Sequence, residues 1–120
     1  METGILASCH CGKVAIRLDR APTQITHCNC SLCRRYGVLW AYYPISSVRL
    51  PDAAGLTHAY AWGGRNVDFH RCADCGCVAY WLPRDPQRER MGINARLLDP
   101  VILGAVPVRR KDSAGTGLFY

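Results

Sequence analysis

Val14, Ile16 and Leu18 alternate with Lys13, Ala15 and Arg17, the period-two pattern of a strand with one buried and one solvated face. Further β-rich or alternating segments lie at 38–43, 56–62, 67–71, 78–82 and 90–94, and together they predict an all-β framework. Breakers separate them: Pro22, Pro44, Pro51, the Gly63-Gly64 pair, and Pro83 through Pro86. Helix is scarce. One or two turns are predicted from Ser31, read as an N-cap, through Tyr36, with Gly37 as the stop. Residues 109–120 carry three consecutive cations, then Ser, Gly and Thr before an apolar end. A loose tail is expected there, with Leu118-Phe119-Tyr120 able to dock on a neighbouring subunit as a homodimer contact.

A chain of 120 residues without repeat, low-complexity tract or linker reads as one domain over 1–120. No stretch is long and apolar enough to suggest a membrane span. The opening residues before Cys9 lack a basic region followed by a sustained apolar one. No secretory signal is therefore read, and the expected compartment is a reducing cytoplasm, where clustered cysteines are more often metal ligands than disulfides. The formal charge is +6, with 13 Arg and only Lys13 and Lys111 as lysines. Seven thiolates and two divalent ions would bring that charge down to about +3, a mild bias that does not argue for nucleic acid.

The eight cysteines fall into three clusters: Cys9 and Cys11 as CxC, Cys28, Cys30 and Cys33 as CxCxxC, and Cys72, Cys75 and Cys77 as CxxCxC. Such spacings let two sulfurs from one turn reach the same tetrahedral zinc at about 2.3 Å. Gly12 and Gly76, each just after a ligand, supply the positive φ that a ligand-bearing turn often needs. Pairing the first and third clusters gives Cys9, Cys11, Cys72 and Cys75, a closed structural zinc site. The middle cluster offers three sulfurs, which leaves a fourth position for water or substrate and points to chemistry or ligand exchange. Closure of that second site by Cys77, His27 or His70 is an alternative that spacing leaves open. Cys77 is otherwise a small filler or a spare thiol, and an iron–sulfur cluster ranks below zinc.

The runs Ala7-Ser8-Cys9-His10-Cys11-Gly12-Lys13-Val14, Cys28-Asn29-Cys30-Ser31-Leu32-Cys33-Arg34-Arg35-Tyr36-Gly37, Phe69-His70-Arg71-Cys72-Ala73-Asp74-Cys75-Gly76-Cys77 and Ile93-Asn94-Ala95-Arg96-Leu97-Leu98 resemble the glutathione-dependent formaldehyde-activating enzyme family, whose members also resemble a centromere-associated protein. The resemblance implies a β-tent of small antiparallel sheets around zinc knuckles. It also implies two zinc ions, a structural one at Cys9, Cys11, Cys72 and Cys75 and an exchangeable one at Cys28, Cys30 and Cys33, in line with the pairing above.

The activity it implies is that of a carbon–sulfur lyase, joining glutathione and formaldehyde as S-hydroxymethylglutathione. On this expectation Cys28, Cys30 and Cys33 form the catalytic site, and the partners are a small thiol such as glutathione and a small aldehyde. Arg34 and Arg35 would hold a carboxylate of the thiol ligand, and Tyr42, Tyr43 or Trp62 would wall the pocket. The rival from another class is a non-catalytic zinc module that binds nucleic acid or a protein. The missing fourth sulfur in the middle cluster favours the enzyme, since an interaction module has no need of an open metal.

Overall fold

A computed structural model of the chain describes residues 4–52 and 54–120, and it bears out the mainly β expectation. Ten strands follow one another: β1 (Ile5–Ser8), β2 (Ala15–Leu18), β3 (Ile25–Cys28), β4 (Trp40–Pro44), β5 (Val48–Arg49), β6 (Thr57–Tyr60), β7 (Val67–Cys72), β8 (Val78–Pro83), β9 (Arg90–Asn94) and β10 (Val108–Lys111). Two short helices, α1 (Ser31–Tyr36) and α2 (Pro100–Gly104), and two single 3-10 turns complete the elements of the described residues. No helix among the described residues is long and apolar enough to cross a membrane.

Three strands form a small sheet in the order β1-β2-β5, and seven form a larger one in the order β10-β3-β4-β9-β8-β7-β6. All paired strands are antiparallel except β10, which runs parallel to β3. The segment expected to be a loose tail therefore contains a sheet strand. After it the chain folds back, so that Phe119 bridges to Lys111 and Tyr120 exchanges both backbone hydrogen bonds with Arg110. Backbone pairing holds what a polar sequence does not advertise.

The core lies between the two sheets. Val14, Ile16 and Leu18 are buried as the alternation requires, and they meet Ala41, Tyr43, Met91, Ile93, Ala79 and Tyr80 of the larger sheet. Tyr43 satisfies its hydroxyl by donating to the Arg20 carbonyl at 3.0 Å. The opposite face of the larger sheet is also apolar. There Trp40 and Val38 are buried with Cys33, and Tyr36, Tyr42, Phe69 and Trp81 pack around them. Strand β4 thus buries side chains on both faces, which explains why residues 38–43 read as one nearly continuous apolar run.

Helix α1 has six residues, too few to persist without tertiary support. Its N-cap is Cys30 rather than the expected Ser31, because the Cys30 sulfur accepts the Cys33 amide at 3.2 Å and Ser31 is already the first helical residue. Gly37 ends it as expected, with φ +69° and its N–H on the Cys33 carbonyl.

Asn94, 6% exposed, clamps three elements. Its amide donates to the Val78 carbonyl at 2.8 Å, and its oxygen accepts from Arg96 N at 3.1 Å and Leu39 N at 3.5 Å. Removing a buried side chain that satisfies several backbone groups leaves them unpaired. Asn94→Ala should cost about 1–3 kcal/mol, read as a lower denaturant midpoint at unchanged slope.

Candidate functional site

The turn from β1 to β2 carries Cys9 and Cys11, and the turn from β7 to β8 carries Cys75, with Cys72 as the last residue of β7. Each turn is closed by its own backbone: Gly12 N reaches the Cys9 carbonyl at 3.2 Å, and Gly76 N the Cys72 carbonyl at 3.0 Å. Both glycines hold positive φ, +86° and +82°, where a side chain would be strained. The four sulfurs lie within 4.8 Å of one another, with Cys9 to Cys11 and Cys11 to Cys72 both at 3.6 Å. Sulfurs sharing a tetrahedral ion at 2.3 Å sit about 3.8 Å apart. Amides already point at the sulfurs: Val14 N at Cys9, 3.3 Å, and Asp74 N and Cys75 N at Cys72, both 3.4 Å. Outside the sulfurs, Lys13 and Asp74 join the two turns by an exposed ion pair at 3.1 Å.

The end of β3 and the start of α1 bring Cys28, Cys30 and Cys33 together, their sulfurs again within 4.8 Å of one another. Cys33 is buried at 5% exposure, while Cys28 and Cys30 are half-buried. The indole N–H of buried Trp40 donates to the Cys33 sulfur at 3.3 Å. Among the described residues neither Cys77 nor His27 nor His70 joins this group. His70 is engaged elsewhere, with Nδ1 2.8 Å from the Thr57 hydroxyl and its ring stacked on Tyr80 at 4.6 Å. Cys77 stays outside the four-sulfur group too, packing on the core.

Without an ion the thiols of each cluster ionise unevenly. A hydrogen bond with Cys33 holds Cys28 down to about 5 against its burial, Ser113 and Cys30 adding to the effect, and the same contact with Cys28, together with burial, pushes Cys33 up. In the other cluster the Cys77 backbone N–H, then that of Cys11, holds Cys75 down to about 5. The Lys13 backbone N–H pulls Cys11 down, but burial and the sulfurs of Cys72, Cys9 and Cys75 outweigh it and push the thiol up to about 12. Several thiolates this close cannot all be charged unless a cation joins them, and a divalent ion would displace the remaining protons. The donor set, spacing and pre-aimed N–H groups fit a thiophilic tetrahedral ion such as zinc in both places.

The model of the glutathione-dependent formaldehyde-activating enzyme family matches residues 4–110. The chain belongs to that family. It is also similar to a crystal structure of a Rhodobacter sphaeroides protein, with 31% identity and a TM-score of 0.70, covering 87% of this chain and 99% of that one.

Of the residues expected to complete a formaldehyde-activating site, Arg34 and Arg35 are both exposed on α1, and the Arg35 guanidinium donates to the Ser31 carbonyl at 2.9 Å. Tyr42 packs on the Cys33 group and also lines an open cleft of about 370 Å³ with Tyr43, Pro44, Glu89 and Arg90. Burial raises the Tyr42 phenol and the Cys28 charge adds to this, while the side chain of Thr26 and the Arg90 charge oppose it. Tyr43 belongs mainly to the core on the other face. Trp62 stands in the β6–β7 turn, 40% exposed, outside the side chains packed on Cys33.

Sequence reasoning missed Trp40, Trp81 and Arg90. The Arg90 guanidinium lies 4.6 Å from the Tyr42 ring centre, and Trp81 lies edge-on to Tyr42 at 6.1 Å. Gly92 makes room for that indole, since a Cβ there would come 2.0 Å from Trp81 Nε1. Partners that orient a metal ligand are commonly worth 10–100-fold in affinity. Trp40→Phe, which keeps an aromatic ring but loses the N–H on Cys33, should weaken zinc binding at the middle cluster by roughly tenfold. Competition against a chromophoric chelator would show it, with the four-cysteine cluster unchanged as the internal reference.

Proposed function

We propose that this protein is a zinc-dependent carbon–sulfur lyase of the S-(hydroxymethyl)glutathione synthase type, joining or cleaving the adduct of a small thiol and a small aldehyde at Cys28, Cys30 and Cys33. The observation that carries this reading is the difference between the two clusters: four convergent sulfurs in one, three in the other among the described residues. Four thiolates close a structural site, whereas three leave a position for an exchanging ligand. Zinc bound there would supply Lewis acidity, lowering the pKa of an incoming thiol or polarising an aldehyde oxygen.

The remaining work falls to the protein. Trp40 fixes Cys33 through its N–H and seals the inner side of the cluster. Tyr42, Trp81 and Phe69 extend an apolar wall from it, and Arg90, standing over Tyr42, offers a cation at the far end for a ligand carboxylate. Arg34 and Arg35 offer two more on the exposed side of α1, where a bidentate clamp on a glutathione-like ligand is sterically open. In the synthetic direction a C–S bond forms as the carbonyl π bond breaks, and the thiol proton ends on the new hydroxyl. The reverse step returns that proton to sulfur. Thiols that must stay reduced suit a reducing compartment such as the cytoplasm.

The test is adduct formation from glutathione and formaldehyde, followed by NMR exchange between free and bound aldehyde. The native protein should accelerate exchange beyond the uncatalysed rate, and Cys30→Ser should abolish the acceleration while far-UV circular dichroism stays native. Acceleration that survives Cys30→Ser would remove the middle cluster from the chemistry. No acceleration by the zinc-loaded native protein would favour the non-catalytic binding module.

A further inference from the structure

Each sulfur of the middle cluster has a hydrogen-bonding partner besides the other two sulfurs. Cys30 accepts from the Cys33 amide at 3.2 Å and Cys33 from the Trp40 indole at 3.3 Å. The third partner comes from far along the chain: the Ser113 hydroxyl lies 3.3 Å from the Cys28 sulfur, 85 residues away in sequence and beyond residue 110, where the family match ends. Ser113 is held there by a dedicated turn. Strand β10 runs beside β3 with Lys111 opposite Cys28, and Asn29 N donates to the Lys111 carbonyl at 3.2 Å.

The Asn29 side chain then grips the turn with both ends, its amide donating to Asp112 Oδ1 at 2.8 Å and its oxygen accepting from Ala114 N at 3.0 Å. Asp112 closes the turn on itself, accepting from Thr116 N at 3.0 Å and the Thr116 hydroxyl at 3.2 Å through Oδ2. Its backbone carbonyl takes Gly117 N at 2.7 Å, and its N–H reaches the Leu118 carbonyl at 2.9 Å. These bonds hold the Asp112 carboxyl below the usual range, chiefly through Asn29. A Cβ at Gly115 would meet Asp112 Oδ2 at 2.6 Å, so a side chain there would push the carboxylate out of this closure.

We propose that the C-terminal turn 112–118 is part of the middle metal centre, with Ser113 as a positioning residue that donates its hydroxyl proton to the Cys28 thiolate. This rests on the reading that Cys28, Cys30 and Cys33 hold a metal. Once Cys28 is a thiolate it is an acceptor only, so the hydroxyl becomes the donor in a charge-assisted bond. Such a bond orients Cys28 and tempers its donation to the metal, as the Trp40 N–H does for Cys33. Coupling of this kind is reciprocal: the factor by which the closed turn tightens metal binding equals the factor by which bound metal favours the closed turn.

The experiment compares the full-length native protein with Ser113→Ala, Ser113→Thr and Asp112→Ala. It reads zinc affinity by chelator competition, the thiolate-to-cobalt charge-transfer band after cobalt substitution, and hydrogen exchange at the Ala114, Thr116 and Gly117 amides with and without zinc. Ser113→Ala and Asp112→Ala should each weaken the second zinc by roughly tenfold and shift the cobalt band, Ser113→Thr should restore both, and zinc should slow exchange at the three amides. A native protein that binds two zincs, with affinity, band and exchange unmoved by Ser113→Ala and Asp112→Ala, would overturn the role of the turn and leave the metal site standing. A native protein that binds only one zinc, at the four-cysteine cluster, would instead overturn the metal reading on which the role depends.

Discussion

The gathering of four sulfurs at the meeting of two turns is the constraint on which the rest of the fold depends. Cys11 and Cys72 stand 61 residues apart in sequence and 3.6 Å apart in space. A cross-link closing a loop of that length removes chain entropy worth about 4 kcal/mol from the unfolded state, a large share of the stability of a domain this small. A metal held by these sulfurs would also brace the core. Cys9 and Cys72 are themselves buried among its apolar side chains, so an ion shared by them would fasten the sheet carrying Val14, Ile16 and Leu18 to the larger sheet. Thiolates brought this close repel one another unless a cation joins them, so binding of a metal there would be coupled to folding.

The second cluster is built differently, with three convergent sulfurs among the described residues against four in the first. It sits on the other face of the larger sheet, at the start of a six-residue helix that is capped by one of its own candidate ligands. Trp40 anchors it from below, the C-terminal turn approaches Cys28 from the side, and an apolar wall leads away through Tyr42 and Trp81 toward Arg90. Rigid support on one side and an open approach on the other are what a site needs if it is to exchange ligands without unfolding.

Much of this was legible in the sequence wherever chemistry and period coincide. The alternation through Val14, Ile16 and Leu18 marked the core strand β2, and the CxC, CxCxxC and CxxCxC spacings divided the sulfurs as the structure does. The strands left unread are those without a pattern of their own. β1 and β3 are four residues long, β5 two, and β10 is a basic edge segment held by parallel pairing with a strand some 80 residues earlier, a relation no local window contains. Trp40 was hidden for another reason: an aromatic residue in a strand reads as packing, and nothing local reveals that its N–H faces a sulfur. Ser113 and Asn29 are ordinary polar residues until the chain brings them together.

The most direct test of the division between a structural and an exchangeable site is graded metal removal, with zinc content by elemental analysis and near-UV circular dichroism followed together as chelator is added. The expected result is two zincs at the start, the first leaving with the tertiary signal intact and the second only as that signal collapses. Loss of both in a single step together with the fold, or collapse of the fold on loss of the first, would contradict it.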